Sequence, residues 1–507
     1  MIKFKSFLLA ASAVALGFSM GACDDDDTTV INEVAVPVTE LAVPAAGQDW
    51  SIDVTASVRP TVSADASWIV VSDPVAGENN TYKLNFVIEP NEDANGNMQA
   101  PRSATIAISA FNSARFITVS QEGALDYNLN YGNLPMQSTA AEIAKKMGVA
   151  VNIGNTLEAP DGETSWGNPQ VSPTYVAGIK AMGFNAVRIP CAWVSHYEKV
   201  KDVMGNDSVT TTIDPKWIAR VKQVVSYCID NDLYVILNDH WDNGWIENRL
   251  EEGYHSSLAE QLADVWTQIA NEFNAFDEHL VFAGLNEPGM NGTISAPALE
   301  ALTKYEQAFI DAVRATGGNN ATRTLVVQGP QTNIDATVAD SYVMPVDAVA
   351  DRLMVEIHFY DPYQFALMED DADWGKTWWY YGSDNHVAGS IHNNGTYMNE
   401  AGVEAQFAKM KAKFVDNGYP VILGEYAPMI RTVDKYADLD VAKHEASRAY
   451  WNEVVTRAAL HNECVPCYWE TGGDINRTTG TAINTYAIDG ITVSYTHLRA
   501  HETDSYL

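Results

Sequence analysis

Two apolar, strand-like runs of this sequence end in a carboxylate. Glu287 closes the run in LVFAGLNEPGM, and Glu425 closes the run in YPVILGEYAP. A strand this apolar is expected to be buried, so its terminal carboxylate lies either in water or at the mouth of a core, where it can take part in a reaction. The recurrence of the same ending on a second run favours a reaction over simple solvent exposure.

Other polar and aromatic residues stand where further strand-like runs end. They supply a guanidinium, an amide, two imidazoles, a phenol and an indole: Arg188, Asn286, His240, His358, Tyr360 and Trp469. His358 and Tyr360 are two residues apart, so both point to the same face of their strand. One such residue alone is more often structural than functional, but the gathering of all of them at strand ends indicates an active site.

Two carboxylates without a metal-binding triad suggest glycoside hydrolysis. In that reaction one carboxylic acid protonates the leaving oxygen, while a second carboxylate attacks the anomeric carbon or activates water. The two groups need different pKa values, which their surroundings set. Arg188 and Tyr360 would favour the ionised form of Glu425, as a nucleophile requires. Glu287 is then the predicted proton donor, and Asn286 beside it is free to bond a sugar 2-hydroxyl.

Aromatic side chains supply candidates for stacking on sugar rings. Trp469 offers a flat floor for the reacting ring, and Trp166 and Trp245 are candidate walls of neighbouring subsites. The segment DADWGKTWWYYG, residues 371–382, adds a cluster of Trp and Tyr side chains. We expect one or two of these to stack on sugar and the rest to pack the loop against the protein.

The elements that must position these residues alternate between strands and helices. Runs such as VAVNIG, NAVRIP and YVILND are each followed by a helical pattern, for example TYVAGIKAMG or DPKWIARVKQVVSYCIDND. Eight such strands over residues 140–492 predict an α/β fold, a (β/α)8 TIM barrel. Chemistry in that fold lies at the C-terminal ends of the strands, which explains why apolar runs end in carboxylates.

Residues 34–124 have a different pattern. Short alternating runs such as WSIDVTASV and SATIAISA, separated by turn residues, predict a small all-β immunoglobulin-like sandwich. Trp68, then Arg102 ahead of ATIAIS, then ITVSQEG resemble the BACON domain, a module common beside carbohydrate-active enzymes in Bacteroidetes. Sugar binding and a spacer role are both open for it, and the spacer is favoured because clustered aromatic residues are lacking. Residues 125–139 are a predicted linker.

The N-terminus has the pattern of a targeting segment. Lys3 and Lys5 precede FLLAASAVALGF, which is too short to span a membrane, so residues 1–22 are a predicted signal peptide. SMGAC resembles the lipobox of bacterial lipoproteins, with Cys23 as the lipidated residue and plain secretion as the alternative. The acidic tether over residues 23–33 resembles the signal that sends Bacteroidetes lipoproteins to the cell surface. We therefore expect secretion and an outer-membrane anchor through lipid on Cys23.

Composition narrows the possible partners. The chain carries 31 basic against 66 acidic residues, a net charge of −35, which disfavours nucleic acid and is compatible with a neutral polymer such as a β-linked polysaccharide. Asp239, His240 and Asp242 could be taken for metal ligands, but no His-x-His pair or strand-end lysine accompanies them. We expect neither a metal nor a cofactor.

The motifs VRIP, LNDH, GLNEP, HFY, LGEY and YW, in this order at the strand ends, resemble glycoside hydrolase family five, the cellulase family of the clan A barrels. The resemblance covers about residues 140–490, and NIGNTLEA with ETSWGNP is most like its endo-β-1,4-glucanase and xyloglucanase branch. It implies Glu287 as acid/base and Glu425 as nucleophile of a retaining mechanism, which needs a carboxyl separation of roughly 5–5.5 Å. It also implies supporting roles for Arg188, His240, Asn286, His358, Tyr360 and Trp469.

The chain departs from the family pattern at two places. Trp241 stands where a second His often follows strand three, and Glu470-Thr471-Gly472 stands where Asp-Asn-Gly is common. These departures put the subsite preference in doubt, whereas both carboxylates match.

The sequence therefore predicts a retaining endo-β-1,4-glucanase that acts on plant cell-wall β-glucans. A β-mannanase, a xyloglucanase or a mixed-linkage glucanase stays open because only the loops distinguish them, and a non-catalytic glycan-binding lipoprotein is the alternative of another class. Residues 493–507, VSYTHLRAHETDSYL, resemble a translated sequencing adaptor and are expected to be non-native. In that case the eighth helix would be cut short near Ile491, leaving apolar barrel surface uncovered.

Overall fold

The computed structural model describes residues 34–92, 99, 101–110, 113–123, 134–201, 207–289, 294–492 and 495. The predicted signal peptide, Cys23 and the acidic tether lie outside the described residues. Most of the predicted linker and, apart from Tyr495, the predicted non-native tail lie outside them as well.

The N-terminal unit consists of two facing β-sheets. One sheet has the order β1-β3-β7-β5 with β6 paired to β7, and the other has the order β2-β9-β8-β4. Alternate residues of β3 are buried, among them Trp50, Ile52 and Val54, and they join Ile106 and Val119 of the other sheet in one core. This alternation is what a strand with one core-facing side requires. The strands are β1 Val34–Ala35, β2 Glu40–Val43, β3 Gln48–Ala56, β4 Thr61–Ala64, β5 Ile69–Val71, β6 Val75–Ala76, β7 Thr81–Ile88, β8 Arg102–Ala110 and β9 Ser113–Gln121.

The second unit is a closed barrel of eight parallel strands, which confirms the predicted fold class. The first barrel strand pairs with both the second and the last, so no strand edge is left open. Barrel residues are buried on both faces, as expected where helices cover a parallel sheet. The barrel strands are β10 Ala150–Asn152, β11 Ala186–Ile189, β14 Tyr234–Asn238, β15 Leu280–Ala283, β16 Leu325–Gln328, β17 Leu353–His358, β18 Val421–Tyr426 and β19 Cys464–Tyr468, and the hairpin β12 Tyr197–Lys201 with β13 Asp207–Ile213 follows β11.

Side-chain caps begin most of the helices around the barrel. Thr139 forms a capping box with Glu142 at the first helix, and Ser172 accepts a backbone hydrogen bond at the second, where Pro173 follows it. Within the described ranges, no helix is long and apolar enough to cross a membrane. The helices are α1 Ala140–Met147, α2 Pro173–Ala181, α3 Pro215–Asp230, α4 Ser256–Glu272, α5 Ala296–Ala315, α6 Ile334–Val338, α7 Tyr363–Ala366, α8 Glu400–Lys413 and α9 Val441–His461.

A helical segment over residues 485–492 follows the last barrel strand. It buries Ile488 and Ile491 in the main barrel core. The helical position after β19 is therefore occupied up to residue 492. Farther on, the Tyr495 hydroxyl accepts a hydrogen bond of 3.1 Å from the Asn185 side chain.

The barrel interior is built in two layers. The lower layer is apolar: α1 closes the N-terminal end of the barrel and packs on inward-facing residues such as Ala186, Ile236 and Met354. Two residues farther along, the inward positions of five strands become polar and stay buried: Asn152, Arg188, Asn238, Gln328 and Glu356. Because side chains alternate along a strand, this polar layer lies directly under the C-terminal mouth of the barrel.

The two units meet at the end of β9. The Glu122 carboxylate accepts hydrogen bonds from the Gln223 amide, at 3.0 Å, and from the Tyr227 hydroxyl, both on α3. Burial raises the pKa of Glu122 to about 7 against the opposing effect of Tyr227. The sandwich is thus joined to the barrel by a polar contact on the outer surface of the helical ring.

Candidate active site

Glu425 reaches the barrel interior through an irregularity in β18. Strict alternation from the inward residue Ile422 would point Gly424 inward and Glu425 outward. The register against β19 shifts between Leu423 and Tyr426, which is the pattern of a β-bulge. A Cβ added to Gly424 would lie 1.9 Å from Glu356 Oε1, so Gly424 also faces inward. The bulge therefore turns two successive residues toward the site, and the first must be glycine.

Four side chains surround the Glu425 carboxylate. Arg188 Nη1 donates to Oε1 at 3.0 Å and the Tyr360 hydroxyl donates to Oε2 at 2.9 Å. His358 Nδ1 lies 3.6 Å from Oε2, and His240 Nε2 lies 4.0 Å from Oε1. These are the residues whose strand-end positions predicted a common site.

The Glu425 pKa reflects two opposing influences. Burial raises the pKa of Glu425 above its ordinary value, and the nearby Glu287 adds to the rise, whereas His358, Arg188 and Tyr360 lower it. Arg188 and Tyr360 thus lower the pKa of Glu425, as expected from the sequence. Burial raises this pKa by more, so it lies above the ordinary value.

Glu287 lies opposite Glu425, just beyond the end of β15. Its Oε1 is 2.7 Å from His358 Nδ1, and its side chain is partly exposed, at 23% of its free surface. An oxygen of Glu287 and an oxygen of Glu425 lie within 4.8 Å of each other. Retaining glycosidases hold their carboxyl groups about 5–5.5 Å apart, whereas inverting enzymes leave roughly 6.5–9.5 Å for a water molecule. The close approach of this one oxygen pair is in keeping with the shorter separation of the retaining class.

His358 joins the two carboxylates to the polar layer below. Its Nδ1 faces Glu287 and its Nε2 lies 3.2 Å from Glu356 Oε1. Burial lowers the pKa of His358, but Glu425, Glu287 and Glu356 outweigh burial and raise it to about 10. The ring is therefore an imidazolium at neutral pH, and both nitrogens donate.

Arg188 organises the layer beneath the carboxylates. Besides Glu425, its guanidinium donates to Asn152 Oδ1 at 3.0 Å and to Asn286 Oδ1 at 2.7 Å. Its Nε lies 2.8 Å from Glu356 Oε1, a charge contact outside the angular range of a hydrogen bond. The Asn286 amide is thus held with its oxygen toward Arg188, which leaves its NH2 group as the end that can bond a sugar hydroxyl.

Sequence reasoning missed three residues of this layer. They are buried polar groups that hold Arg188 and the strand ends: Asn152, Gln328 and Glu356. Gln328 Nε2 donates to Glu356 Oε2 at 2.8 Å, and its Oε1 accepts from the Leu285 backbone at 2.8 Å. A signal was present for Glu356, because a charged residue inside the apolar strand MVEIH, two positions before His358, shares its inward face.

His240 and Trp469 form the wall beside Glu425. Their rings stack with centroids 5.6 Å apart and planes 5° from parallel. Burial, together with the nearby Arg188 and His358 cations, lowers the pKa of His240 well below its ordinary value. His240 is therefore a neutral ring, and its Nδ1 accepts from the Asn238 amide at 3.2 Å.

The remaining aromatic residues predicted to stack on sugar lie outside the hydrogen-bond network around Glu425, as far as the described residues show. Trp166 lies in the loop after β10 and is 46% exposed. Trp245 is half-buried, and its indole N–H donates to Asp239 at 3.2 Å. In the segment 371–382, Trp379, Tyr380 and Tyr381 are buried and pack the loop, while Trp374 is 67% exposed; stacking of one or two of these rings on sugar stays a prediction.

The residues at the two departures from the family pattern serve different purposes. Trp241 is exposed at the rim, in a turn where Trp241, Asp242 and Asn243 all have positive φ. The Asp242 carboxylate fixes this turn by accepting the backbone N–H groups of residues 193–195. Glu470 is buried and bonds the N–H groups of residues 472, 474 and 475 and the Arg477 guanidinium, so it shapes its own loop.

One group of side chains in the described ranges has the geometry to hold a metal ion: Glu287, His358 and Glu425. In the described structure His358 Nδ1 lies 2.7 Å from Glu287 and Nε2 lies 3.2 Å from Glu356, so a carboxylate already faces each ring nitrogen.

Comparison with known proteins assigns the chain to a family. The family described as Cellulase (glycosyl hydrolase family 5) matches residues 150–474. A xyloglucan-specific endo-β-1,4-glucanase of Bacteroides ovatus is 32% identical over 481 residues, which is 90% of each chain.

Solved structures agree with this placement. A family 5 xyloglucanase of Bacteroides ovatus, in complex with an XXXG heptasaccharide, has a TM-score of 0.62 at 31% identity and covers 91% of this chain and 100% of its own. A xyloglucan-specific β-1,4-glucanase from a ruminal metagenomic library, in complex with XXLG, has a TM-score of 0.62 at 40% identity over 71% of this chain and 96% of its own. The chain belongs to glycosyl hydrolase family 5, the cellulase family, and is an O-glycoside hydrolase.

Proposed function

We propose that this enzyme is a retaining endo-β-1,4-glucanase with xyloglucan as its principal substrate, Glu425 as nucleophile and Glu287 as acid/base. The observation that carries the proposal is the pair of carboxylates, which approach within 4.8 Å on the ends of two buried strands. A binding-only barrel would have no need to hold two like charges this close in a buried site.

Side-chain contacts hold each carboxylate at the position that its assigned role requires. Arg188 and Tyr360 each donate a hydrogen bond to one oxygen of Glu425 and so orient the carboxylate that attacks the anomeric carbon. Glu287 is the more exposed of the two and stands within 2.7 Å of His358. In the first step Glu425 forms a bond to the anomeric carbon as the glycosidic bond breaks and Glu287 gives its proton to the leaving oxygen. In the second step Glu287 takes a proton from a water molecule while the water oxygen bonds to the anomeric carbon and the bond from that carbon to Glu425 breaks, which restores the original configuration.

The side chains around the pair support binding of a sugar ring between them. The Asn286 NH2 group is free to bond the 2-hydroxyl, a contact that strengthens in the transition state. The flat pair of Trp469 and His240 offers a stacking surface for the ring. Trp241 and Trp374 are exposed aromatic residues from which further subsites can be built.

Xyloglucan is proposed because the similar enzymes from Bacteroides ovatus and from the ruminal metagenomic library act on it by name. A β-mannanase or a mixed-linkage glucanase would use the same carboxylate pair, since only the loops around the cleft differ. A non-catalytic glycan receptor is the alternative of another class.

Release of reducing ends from a polysaccharide panel tests the proposal. The panel contains xyloglucan, barley β-glucan, carboxymethylcellulose, glucomannan, galactomannan and xylan, with the Glu425→Ala variant alongside. We expect the fastest release from xyloglucan, slower release from the other glucans, and none from the variant. Release from the mannans alone would transfer the assignment to a mannanase. A wild-type protein that binds xyloglucan without cleaving any polymer would favour the receptor.

We also propose that the enzyme is secreted and held at the outer-membrane surface by lipid on Cys23. The support is the charged and apolar N-terminal pattern, the small residues before Cys23 and the acidic run that follows it. Metabolic labelling with a palmitate analogue in a diderm bacterial host tests this, with Cys23→Ala as the matched control. Label on both proteins, or on neither, would contradict the anchor.

The sandwich is proposed to be a BACON-like spacer that lifts the barrel from the membrane. Arg102 lies 4.3 Å above the Trp68 ring and donates to Gln121 at 2.7 Å, so the residues that carry the resemblance meet in the fold. Among the described sandwich residues, Phe116 is the large aromatic residue with an exposed face. Affinity electrophoresis of the sandwich alone in xyloglucan gels should show unretarded migration, and retardation would assign it a glycan-binding role.

A further inference from the structure

Glu247 is a buried carboxylate that neither the family resemblance nor the proposed reaction uses. It begins a 3-10 turn, Glu247–Glu252, in the segment that leaves β14 and crosses toward the end of β15. Only 7% of its surface is exposed. A carboxylate is seldom buried unless hydrogen bonds or charges compensate it, so its partners identify its role.

Those partners are the backbone of the proposed proton donor. Glu247 Oε1 accepts the N–H of Asn286 at 3.1 Å and the N–H of Glu287 at 2.6 Å. Both residues lie beyond Ala283, where β15 ends, so the strand ladder no longer satisfies their backbone groups. The Gln328 side-chain oxygen accepts the preceding backbone N–H, that of Leu285, in the same way. Side-chain acceptors therefore hold three successive peptide groups that lead to the Glu287 side chain.

The segment that presents Glu247 is itself fixed. Asp242, five residues earlier, anchors its turn to the backbone of residues 193–195. A Cβ added to Gly244 would lie 1.9 Å from the Asn248 side chain, so the chain between Asp242 and Glu247 is closely packed. Glu247 thus connects this anchored segment to the backbone of Asn286 and Glu287.

We propose that Glu247 is a positioning residue that holds the backbone of Glu287 so that its carboxyl reaches the leaving oxygen. This inference rests on the proposed role of Glu287 as proton donor. Burial raises the pKa of Glu247 to about 8, with Glu287 also raising it, while the two N–H groups lower it. An acceptor oxygen is present whether or not this carboxyl is protonated, so a neutral amide in its place should serve almost as well.

The dependence of activity on the leaving group distinguishes a role of Glu247 in positioning Glu287 from a general role in stabilising the fold. The substrates are xyloglucan, whose leaving oxygen needs a proton, and 2,4-dinitrophenyl β-cellobioside, whose leaving group needs none. For Glu247→Ala we expect kcat/KM on xyloglucan to fall about 100-fold and kcat/KM on the aryl glycoside to fall less than about 5-fold. For Glu247→Gln we expect xyloglucan activity within about 5-fold of wild type.

Two further variants complete the experiment. Glu247→Asp keeps the carboxyl group but is one methylene too short for both N–H groups. If the Ala variant does not fold, as judged by thermal melting, the Asp variant should show the same selective loss. Glu278→Ala is the matched control, because Glu278 is a buried carboxylate that holds the Ser138 backbone N–H at the opposite end of the barrel. We expect that control to melt at a lower temperature with no preference between the substrates.

An equal fall on both substrates, no fall on either, or a Gln variant as slow on xyloglucan as the Ala variant would overturn the positioning role. Glu287→Ala is measured alongside. If Glu287→Ala hydrolyses xyloglucan at the wild-type rate, the proposed proton donor itself is wrong. If Glu287→Ala shows the leaving-group dependence and the Glu247 variants do not, only the inference about Glu247 fails.

Discussion

Arg188 Nε lies 2.8 Å from Glu356 Oε1, and both side chains are completely buried inside the barrel. Burial raises the pKa of Glu356, but Arg188 and His358 outweigh burial and hold it below its ordinary value. The same guanidinium donates to Glu425. One cation therefore neutralises a structural carboxylate and orients the proposed nucleophile.

Removing Arg188 should damage both stability and activity. Arg188→Ala removes the guanidinium partner of the buried Glu356 carboxylate, which should lower the free energy of unfolding by about 3–5 kcal/mol. Urea denaturation measures this loss, and hydrolysis of xyloglucan should be abolished in the same variant.

A double variant separates the two effects. Arg188→Met with Glu356→Leu replaces the charged pair by apolar side chains, which should restore part of the lost stability, because Asn152, Gln328 and His358 still lose a buried partner. Activity should stay absent, since Glu425 has lost its guanidinium partner. Recovered activity in the double variant would contradict the role given to Arg188.

The two carboxylates should respond differently to mutation. Glu425→Ala removes the nucleophile and should lower kcat by about 10³-fold or more on every substrate while the melting temperature stays near that of wild type. Glu287→Ala should be as severe on xyloglucan but much milder in kcat/KM on 2,4-dinitrophenyl β-cellobioside. Wild-type rates in Glu425→Ala would refute the assignment.

Gly424→Ala should disrupt the site although it adds a single methyl group. The new Cβ would lie 1.9 Å from Glu356 Oε1, a contact that only a backbone or side-chain shift can relieve. We expect a lower melting temperature and a loss of xyloglucan hydrolysis of about 100-fold. Gly162→Ala is a useful comparison, because nothing lies within 4 Å of a Cβ at Gly162, so its cost comes from its φ of +112° alone. Equal activity in both variants would argue against the close approach of β17 and β18.

The pH dependence of activity should follow Glu425. Since burial places its pKa above the ordinary 4.5, kcat/KM should fall on the acid side of the optimum through a pKa higher than 4.5, as the nucleophile becomes protonated. A profile of kcat/KM against pH measures this limb. An acid limb at or below pH 4.5 would contradict the buried setting of Glu425.

The pH dependence of stability should reveal the charge state of the His358 ring. Its pKa is raised from 6.5 to about 10 on folding, so its contribution is complete below pH 6.5 and is lost as the pH rises through about 10. The difference in unfolding free energy between wild type and His358→Gln should therefore shrink over that interval.

His444 provides a control of opposite sign. It is buried with its pKa lowered to about 4, so its contribution is present above pH 6.5 and is lost as the pH falls through about 4. The difference between wild type and His444→Gln should accordingly vary on the acid side and stay constant between pH 7 and 10. A difference for His358→Gln that is flat over the alkaline interval would contradict the imidazolium.

The positions of the site residues along the chain could be predicted because strand ends are marked by an abrupt change from apolar to polar residues. Arg188, Glu287, His358 and Glu425 all fall at such a change, and parallel strands bring those ends together. What the pattern does not contain is the bulge at Gly424, since a period of two alone points Glu425 away from the interior.

The supporting residues were harder to predict for a different reason. Asn152, Gln328 and Glu247 act through hydrogen bonds to backbone groups of other strands, and pairings between distant segments leave no local spacing to detect. For Trp245 the fold adds a contact that the sequence does not show, since its indole N–H bonds Asp239; its place in a subsite wall stays a prediction. Whether a Trp stacks on a ligand or anchors a loop depends on contacts that exist only in the folded chain.

The most direct test of the proposed mechanism is to trap its covalent intermediate. The enzyme is incubated with 2,4-dinitrophenyl 2-deoxy-2-fluoro-β-cellobioside, whose fluorine slows both steps while its leaving group sustains the first, and the labelled peptide is identified by mass spectrometry. We predict one fluorocellobiosyl group per enzyme, attached to Glu425 in the peptide that contains YPVILGEYAP. A label on Glu287 or any other residue, or an active enzyme that forms no adduct, would contradict the assignment of Glu425 as the nucleophile of a retaining glucanase.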